Sequence, residues 1–392
     1  MRVIDVDSHF MEPLDWLEKT DPGLAAELPP SNFAERVARG VVGDLLDKIP
    51  PAERPTNLLE LLAPQGRRSA EALMAAWKGD ESEMSLRNPP TGYDAEARLK
   101  LNDEHGIDVQ FVNPTMGTGP YVSAIRMGRR DLGLRAFKAF NSWAAQTFAG
   151  HTDRLVPVTL VDLIDIDWAV TEMTRMRQAG SRVVQIKPDP VSETKSLTHP
   201  DIERVWSAAE DLGMAVIFHI ASGRAELKHG WYFNGGAHGH YAVLQLINGQ
   251  MVPQIALTAM IIDGVFERHP KLAVIVEELG IGWVPNFIEM VDSVTVGAYG
   301  TEFGMGKEDY KLPLKPSEYI RRQVRFTPLV TTDALSPTME LIPPELLVFS
   351  SDFPHHEGRA NAVDLFAPQL KSRTQAEREQ FYGGSIGALM DI

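Results

Sequence analysis

The sequence predicts a (β/α)8 TIM barrel with a long insertion after its first strand. Short β-branched apolar runs alternate with helical patterns from Asp94 to the C-terminus, the strand count reaches eight, and no glycine-rich phosphate loop follows the first strand. Such alternation requires a parallel sheet, and eight units are the number that closes one. The open doubly wound sheet shares the alternation but usually carries a phosphate loop where this chain has Asp7-Ser8-His9.

The first strand is Val3-Ile4-Asp5-Val6-Asp7-Ser8-His9-Phe10. Its alternation puts Asp5 and Asp7 on one face, and the two-residue step lets Asp7 and His9 aim an oxygen and a nitrogen at one point near the strand's C-terminal end. From about residue 11 to 93 the chain is rich in proline and charge, with short helical pieces at Pro55–Leu62 and Ala70–Trp77. This stretch is too long for a loop and too broken for a core, so it reads as a lid or oligomer arm inserted into a single domain spanning 1–392.

Helix Ala95–His105 is stopped by Gly106 and precedes strand Asp108–Asn113. The series continues with a helix at about Leu132–Ala149, strand Leu155–Leu160, helix Ile166–Gln178, strand Arg182–Lys187, helix Ile202–Leu212 and strand Met214–Ile220. Gly180 and Gly213 stand at helix ends, where a left-handed cap is wanted. An irregular stretch at 222–239 leads to a helix at about Pro253–Arg268, strand Leu272–Glu277 and a helix from about Pro285. Strands Gln323–Thr327 and Leu346–Ser351 and a helix at about Gln375–Met390 complete the chain.

With 44% hydrophobic residues in 392, the chain can bury a large core. A formal net charge of -15 argues against nucleic acid and anionic membrane surfaces as partners and leaves a small-molecule substrate. Without cysteine, a metal has only His, Asp, Glu or a modified Lys to hold it. Met1-Arg2 leads directly into a strand, and no apolar run is long enough to span a bilayer, so a soluble, cytoplasmic protein is expected. The apolar long helices and the insertion point to a homodimer.

The C-terminal ends of barrel strands converge on one face. Those ends carry Asp7 and His9, Lys187, His219, Glu277 and Glu278, and Asp352. Each has an ordinary reading: His219 as a core histidine bonded to a carbonyl, Lys187 as an ion pair rather than a substrate-binding or carbamate-forming lysine, Asp352 as a turn cap. Of the adjacent Glu277 and Glu278, a regular strand points only one into the mouth. Taken together they are costly to bury unless coordinated, and a divalent cation resolves that cost. Mixed oxygen and nitrogen ligands fit zinc, manganese or iron(II) better than calcium or magnesium.

Five stretches in order resemble the amidohydrolase superfamily, in the branch of aminocarboxymuconate-semialdehyde decarboxylase and the resorcylate-type decarboxylases. They are Asp7-Ser8-His9, Phe218-His219, the run from Gly264 to Leu272, the run from Glu278 to Pro285, and Ser350-Ser351-Asp352-Phe353-Pro354-His355. The resemblance implies metal ligands at Asp7, His9, His219 and Asp352, and zinc or manganese, with iron also admitted, as one or two ions. His269, in a helix-to-strand turn at the opposite rim, is structural on this reading. One position departs from the pattern: relatives usually carry a catalytic histidine where this chain has Glu278. Glu278 then serves as general base, second-metal ligand or orienting group. His238 and His240, on the loop after strand five, are either solvated or supply the missing imidazole, His240 in catalysis and His238 toward substrate.

The leading expectation is a hydrolase of an amide, lactone or cyclic ester. Metal-activated water attacks, Asp352 takes its proton, and Glu278 or a loop histidine protonates the leaving group. The alternative is a non-oxidative decarboxylase of a small aromatic or unsaturated carboxylic acid, with Lys187 neutralising the carboxylate. An iron-dependent oxygenase and an inactive partner subunit are the remaining readings.

Overall fold

A computed structural model of the chain describes residues 1–13, 15–28, 90–220, 222–223, 231, 241–297, 309–355 and 357–392. Its strands are β1 (Ile4–His9), β2 (Val109–Asn113), β3 (Leu155–Pro157), β4 (Thr159–Leu160), β5 (Val183–Gln185), β6 (Ala215–His219), β7 (Val274–Glu277) and β8 (Val324–Phe326). They pair in parallel as β1-β2-β3 and as β4-β5-β6-β7-β8. The third predicted strand is divided. Its first half pairs with β2 and its second with β5, and between them the Val158 N–H donates to the Val112 carbonyl at 3.1 Å.

The predicted eighth strand survives as an extended stretch joined on both sides. A parallel bridge links Leu347 to Phe326, and the Val348 N–H donates to the Phe326 carbonyl. On the other side the Val6 N–H donates to the Phe349 carbonyl, and the Asp352 N–H donates to the Asp7 carbonyl at 2.8 Å. These bonds complete the ring of a (β/α)8 barrel. The strands are buried on both faces, as a sheet covered by helices outside and packed with side chains inside must be. Alternate residues such as Ile4, Val6, Val109, Phe111, Ala215, Ile217 and Ile275 form one buried cluster. Their neighbours Val216, Phe218, Val274 and Val276 belong to another, which includes the helices.

Local chemistry explains most helix bounds. Ala95–His105 starts at Asp94, whose side chain accepts from the Ala97 N–H, and stops at Gly106 in the left-handed region. Ile166–Gln178 is capped likewise by Asp165. The helix predicted over 253–268 is two helices, Met251–Ile262 and Val265–Arg268, separated at Gly264 with φ of 75°. The closing helix is interrupted by a wider turn at Gln380–Gly384. There a Cβ on Gly383 would lie 2.4 Å from the Arg2 carbonyl oxygen, so glycine lets this turn pack against the start of the chain.

The first part of the insertion packs on the barrel. Trp16, Leu17, Leu24 and Leu28 are buried in one cluster with Phe10 of the β1 end and with Ala136, Phe137 and Phe140 of the helix Arg130–Thr147. The pieces expected at Pro55–Leu62 and Ala70–Trp77 lie outside the described residues. Among the described residues no helix is long and apolar enough to cross a membrane.

Trp16→Ala is therefore expected to destabilise the protein by about 3–5 kcal/mol, the cost of truncating a fully packed aromatic. Urea unfolding measures it, and an unchanged midpoint would show that Trp16 is not part of the packed core.

Candidate metal centre

Each side chain reaches the barrel mouth for a local reason. In β1 the register against β2 shifts between Asp5 and Ser8: Asp5 stands opposite Gln110, but His9 stands opposite Asn113. This bulge resets the alternation. Asp7 turns inward with His9, whereas Asp5 faces Gln110 and Ser351, so the two aspartates do not share a face as expected. His219 ends β6 directly opposite Glu277 of β7. Glu278 follows with φ of 58° and Asp352 has φ of 51°, left-handed conformations that non-glycine residues rarely adopt. Such conformations cost of order 1–3 kcal/mol each and concentrate at functional sites. At Glu278 this turn overrides strand parity, so Glu277 and Glu278 both face the interior, contrary to the expectation that only one can.

Asp7 Oδ1 lies 3.3 Å from His9 Nε2 and 3.4 Å from His219 Nε2. Asp352 Oδ1 is 3.3 Å from His9 Nε2. Glu278 Oε2 is 3.4 Å from His219 Nε2 and 3.9 Å from His9 Nε2. The two Nε2 atoms are themselves 3.3 Å apart. Each ring has its other nitrogen against a backbone carbonyl, His9 Nδ1 on Pro114 and His219 Nδ1 on Ile220. A carbonyl only accepts, so both Nδ1 atoms are protonated and both Nε2 atoms face the cluster as acceptors unless a further proton is bound. Asn113 Nδ2 donates to Asp7 Oδ1 at 3.1 Å and to Glu277 Oε2 at 3.0 Å, holding two buried carboxylates with one amide.

The electrostatics report the same excess of acceptors. Burial works against charge on His9, but Asp352 and Asp7 outweigh it and hold the ring well above its ordinary value. Burial also raises the carboxyl of Asp7, yet His219 and His9 pull it below the usual carboxylate range. Burial, then Asp352 and Asp7, push Glu278 well upward; burial and Asp7 do the same to Glu277. In the metal-free protein these shifts favour a proton on His9 and on Glu278. A divalent ion fits the same place, because Asp7, His9, His219 and Glu278 present ligand atoms all within 4.8 Å of one another, as do His9, Glu278, Asp352 and His355.

His355 was not singled out from the sequence. Its ring stacks on His9 at 3.7 Å, its Nδ1 lies 2.9 Å from Asp352 Oδ1, and its Nε2 is 3.0 Å from Thr115 Oγ1. Its position three residues after Asp352 was the available signal. Asn113, at the end of β2, gave none. Lys187 is not brought to the cluster: it is largely exposed and pairs with Asp189 at 2.9 Å. His238 and His240 lie outside the described residues. His269 bonds Glu203 at 2.9 Å, in keeping with a structural role.

Metal binding should release protons, since His9 must lose the one on Nε2 to coordinate. Its raised value means that it is charged near neutrality in the metal-free protein, so apparent affinity rises with pH until His9 titrates. Calorimetry in buffers of different ionisation enthalpy measures this, and binding without proton release would remove His9 from the ligand set. His219→Ala should abolish stoichiometric metal by elemental analysis.

The amidohydrolase family profile matches residues 4–386. Among solved structures, the fold resembles an amidohydrolase of Mycobacterium avium subsp. paratuberculosis K-10, with a TM-score of 0.69 and 23% identity over 99% of both chains. It also resembles 5-carboxyvanillate decarboxylase of Sphingomonas paucimobilis, with a TM-score of 0.62 and 20% identity over 100% of this chain and 99% of the other. A third likeness is to a dihydroxybenzoic acid decarboxylase of Polaromonas sp. JS666 with bound manganese, with a TM-score of 0.62 and 16% identity over 100% and 97% of the two chains. With its ligand cluster at the strand ends of a parallel barrel and a family match over nearly its whole length, the chain belongs to the amidohydrolase family.

Proposed function

We propose that this protein is a metal-dependent carboxy-lyase that removes carbon dioxide from a hydroxylated aromatic acid without oxidation. The observation that carries the reading is the placement of Glu278. Burial and neighbouring carboxylates favour its protonated form, it sits against both imidazoles, and its side chain keeps 10% of its surface exposed. The structural likeness to enzymes named for carboxyvanillate and dihydroxybenzoate decarboxylation supports it. Manganese in one of those structures favours manganese over zinc here. A single ion is proposed, because the two possible ligand sets share His9 and Glu278, and His9, with Nδ1 on the Pro114 carbonyl, has one nitrogen to offer.

A bound divalent ion would supply the positive charge that holds the substrate carboxylate and an adjacent hydroxyl. Asp7, His9 and His219 would hold it, joined by Asp352, whose Oδ1 lies 3.3 Å from His9 Nε2, in place of Glu278. Glu278 delivers a proton from Oε2 to the ring carbon that bears the carboxylate. The carbon–carbon bond then breaks, its electron pair returns to the ring, and carbon dioxide leaves. One proton is consumed, and Glu278 regains it from solvent. His355, stacked on His9 and against Asp352, keeps that carboxylate turned toward the cluster.

One observation favours hydrolysis as the second reading. Among the described residues, the contacts given for the carboxylate oxygens of Asp7, Glu278 and Asp352 are to histidine and asparagine side chains. A site so rich in carboxylate suits a neutral amide, lactone or cyclic ester, with Asp352 as the base.

Manganese-loaded protein offered 2,6-dihydroxybenzoate and 5-carboxyvanillate in D2O should release carbon dioxide in step with arene, place deuterium at the vacated carbon and consume no oxygen. Glu278→Gln should slow this by roughly 10²–10⁴-fold. Turnover of lactones or amides with no carbon dioxide from aromatic acids would establish the hydrolase instead, and oxygen uptake an iron oxygenase.

A further inference from the structure

Behind the strand ends, on the side of β1 and β2 that faces the helix Ala95–His105, lies a second buried polar cluster. Arg98, Gln110, Asp5 and Ser351 are each at most 1% exposed. Arg98 Nε donates to Gln110 Oε1 at 2.8 Å, and Gln110 Nε2 donates to Asp5 Oδ2 at 2.7 Å. Asp5 also accepts from the Ser351 N–H at 2.9 Å and from its hydroxyl at 2.6 Å. The remaining guanidinium donors go to main chain. Nη1 reaches the Thr91 carbonyl at 2.9 Å, and Nη2 reaches the His9 carbonyl at 3.0 Å and the Phe353 carbonyl at 3.4 Å, with the Phe353 ring 4.9 Å beneath.

We propose that Arg98 is a positioning residue that sets metal affinity, by locking the main chain of His9 to the main chain that follows Asp352. The inference rests on the metal centre and is independent of which reaction the centre performs. Two ligands that arrive from opposite ends of the chain, His9 and Asp352, have their adjacent carbonyls held by one planar guanidinium nitrogen. The His9 N–H also donates to the Phe353 carbonyl at 2.7 Å, so the junction is bonded twice. Asp5 and Ser351 tie the same two segments from the other side, each within two residues of a ligand. Ligand affinity depends on such outer contacts, because a shift of a fraction of an ångström in one donor spoils the coordination angles of all. A lysine has neither the five donors nor the fork needed to reach these acceptors together.

A purely structural arginine makes a different prediction. Its loss would lower the melting temperature equally with and without metal and leave affinity alone. Arg98→Met, Arg98→Lys and the milder Gln110→Met, which removes the Nε anchor and the amide bond to Asp5 but leaves the guanidinium on the His9 and Phe353 carbonyls, should be compared with wild type. The measurements are Mn2+ titration by calorimetry, the visible spectrum of the Co2+ form, and melting with Mn2+ and with chelator. The expected result is a dissociation constant for Mn2+ raised roughly 10–100-fold in both Arg98 variants and less in Gln110→Met, with an altered Co2+ spectrum. Melting should fall further in Mn2+ than in chelator. If the Arg98 variants do not fold, Gln110→Met decides, through the same shift in affinity and spectrum. Folded variants with wild-type Mn2+ affinity and Co2+ spectrum would overturn the proposal. Wild-type protein that binds neither ion would overturn it together with the metal centre, an outcome distinct from loss in the variants alone.

Discussion

The structure is organised around two imidazole nitrogens, His9 Nε2 and His219 Nε2, held 3.3 Å apart. His9 and His219 each commit Nδ1–H to a backbone carbonyl, so both present lone pairs to a space already bordered by Asp7, Glu278 and Asp352. Convergent acceptors repel unless a proton or a cation lies between them. Most other features of the barrel mouth follow from meeting that constraint: the bulge that turns Asp7 inward, the left-handed backbone at Glu278 and Asp352, and the Asn113 amide that separates Asp7 from Glu277.

The constraint also explains the polar layer behind the strands. An assembly of like-charged ligands holds its geometry only if the backbone beneath it is rigid. Rigidity here comes from buried hydrogen bonds between segments far apart in sequence, with Ser351 bonded to Asp5 and Arg98 to both His9 and Phe353. Burial depresses Arg98 to about 10, which leaves it charged at neutral pH, and pushes Asp5 up to about 7. The arginine therefore remains a donor under physiological conditions, while Gln110 relays its bonds to the aspartate. The same guanidinium takes the Thr91 carbonyl, so the end of the insertion is tied to the end of the strand that it follows.

Glu278 is where the chemistry of this chain turns. A carboxyl at this position adds an acceptor to a site with too many, and burial, then Asp352 and Asp7, push it well above the usual carboxylate range. It can then act as ligand, acid or base according to what shares the mouth. His355 partly restores the imidazole count, but it reaches the cluster by stacking on His9 rather than from a strand end.

The sequence by itself determined the barrel and most helix bounds, and it pointed to Asp7, His9, His219 and Asp352, which the structure brings into one cluster. Strand alternation, capping Asp94 and Asp165, and terminating Gly106 and Gly213 are local signals that act over a few residues, and the Asp-x-His and Ser-Asp-Phe-Pro-His stretches are legible as strand ends. Tertiary structure decided what local signals do not encode. The bulge that separates Asp5 from Asp7 depends on the register of β1 against β2, a pairing across more than a hundred residues. The inward turn of Glu278 is a single positive φ that no alternation rule predicts. Lys187, apolar in its sequence context, proved to be solvent-facing beside Asp189, while Arg98, an ordinary helix residue by pattern, proved to be fully buried. Which charged side chain is buried is settled by what surrounds it in space, because only partners brought together by the closed ring can offset the cost of its desolvation.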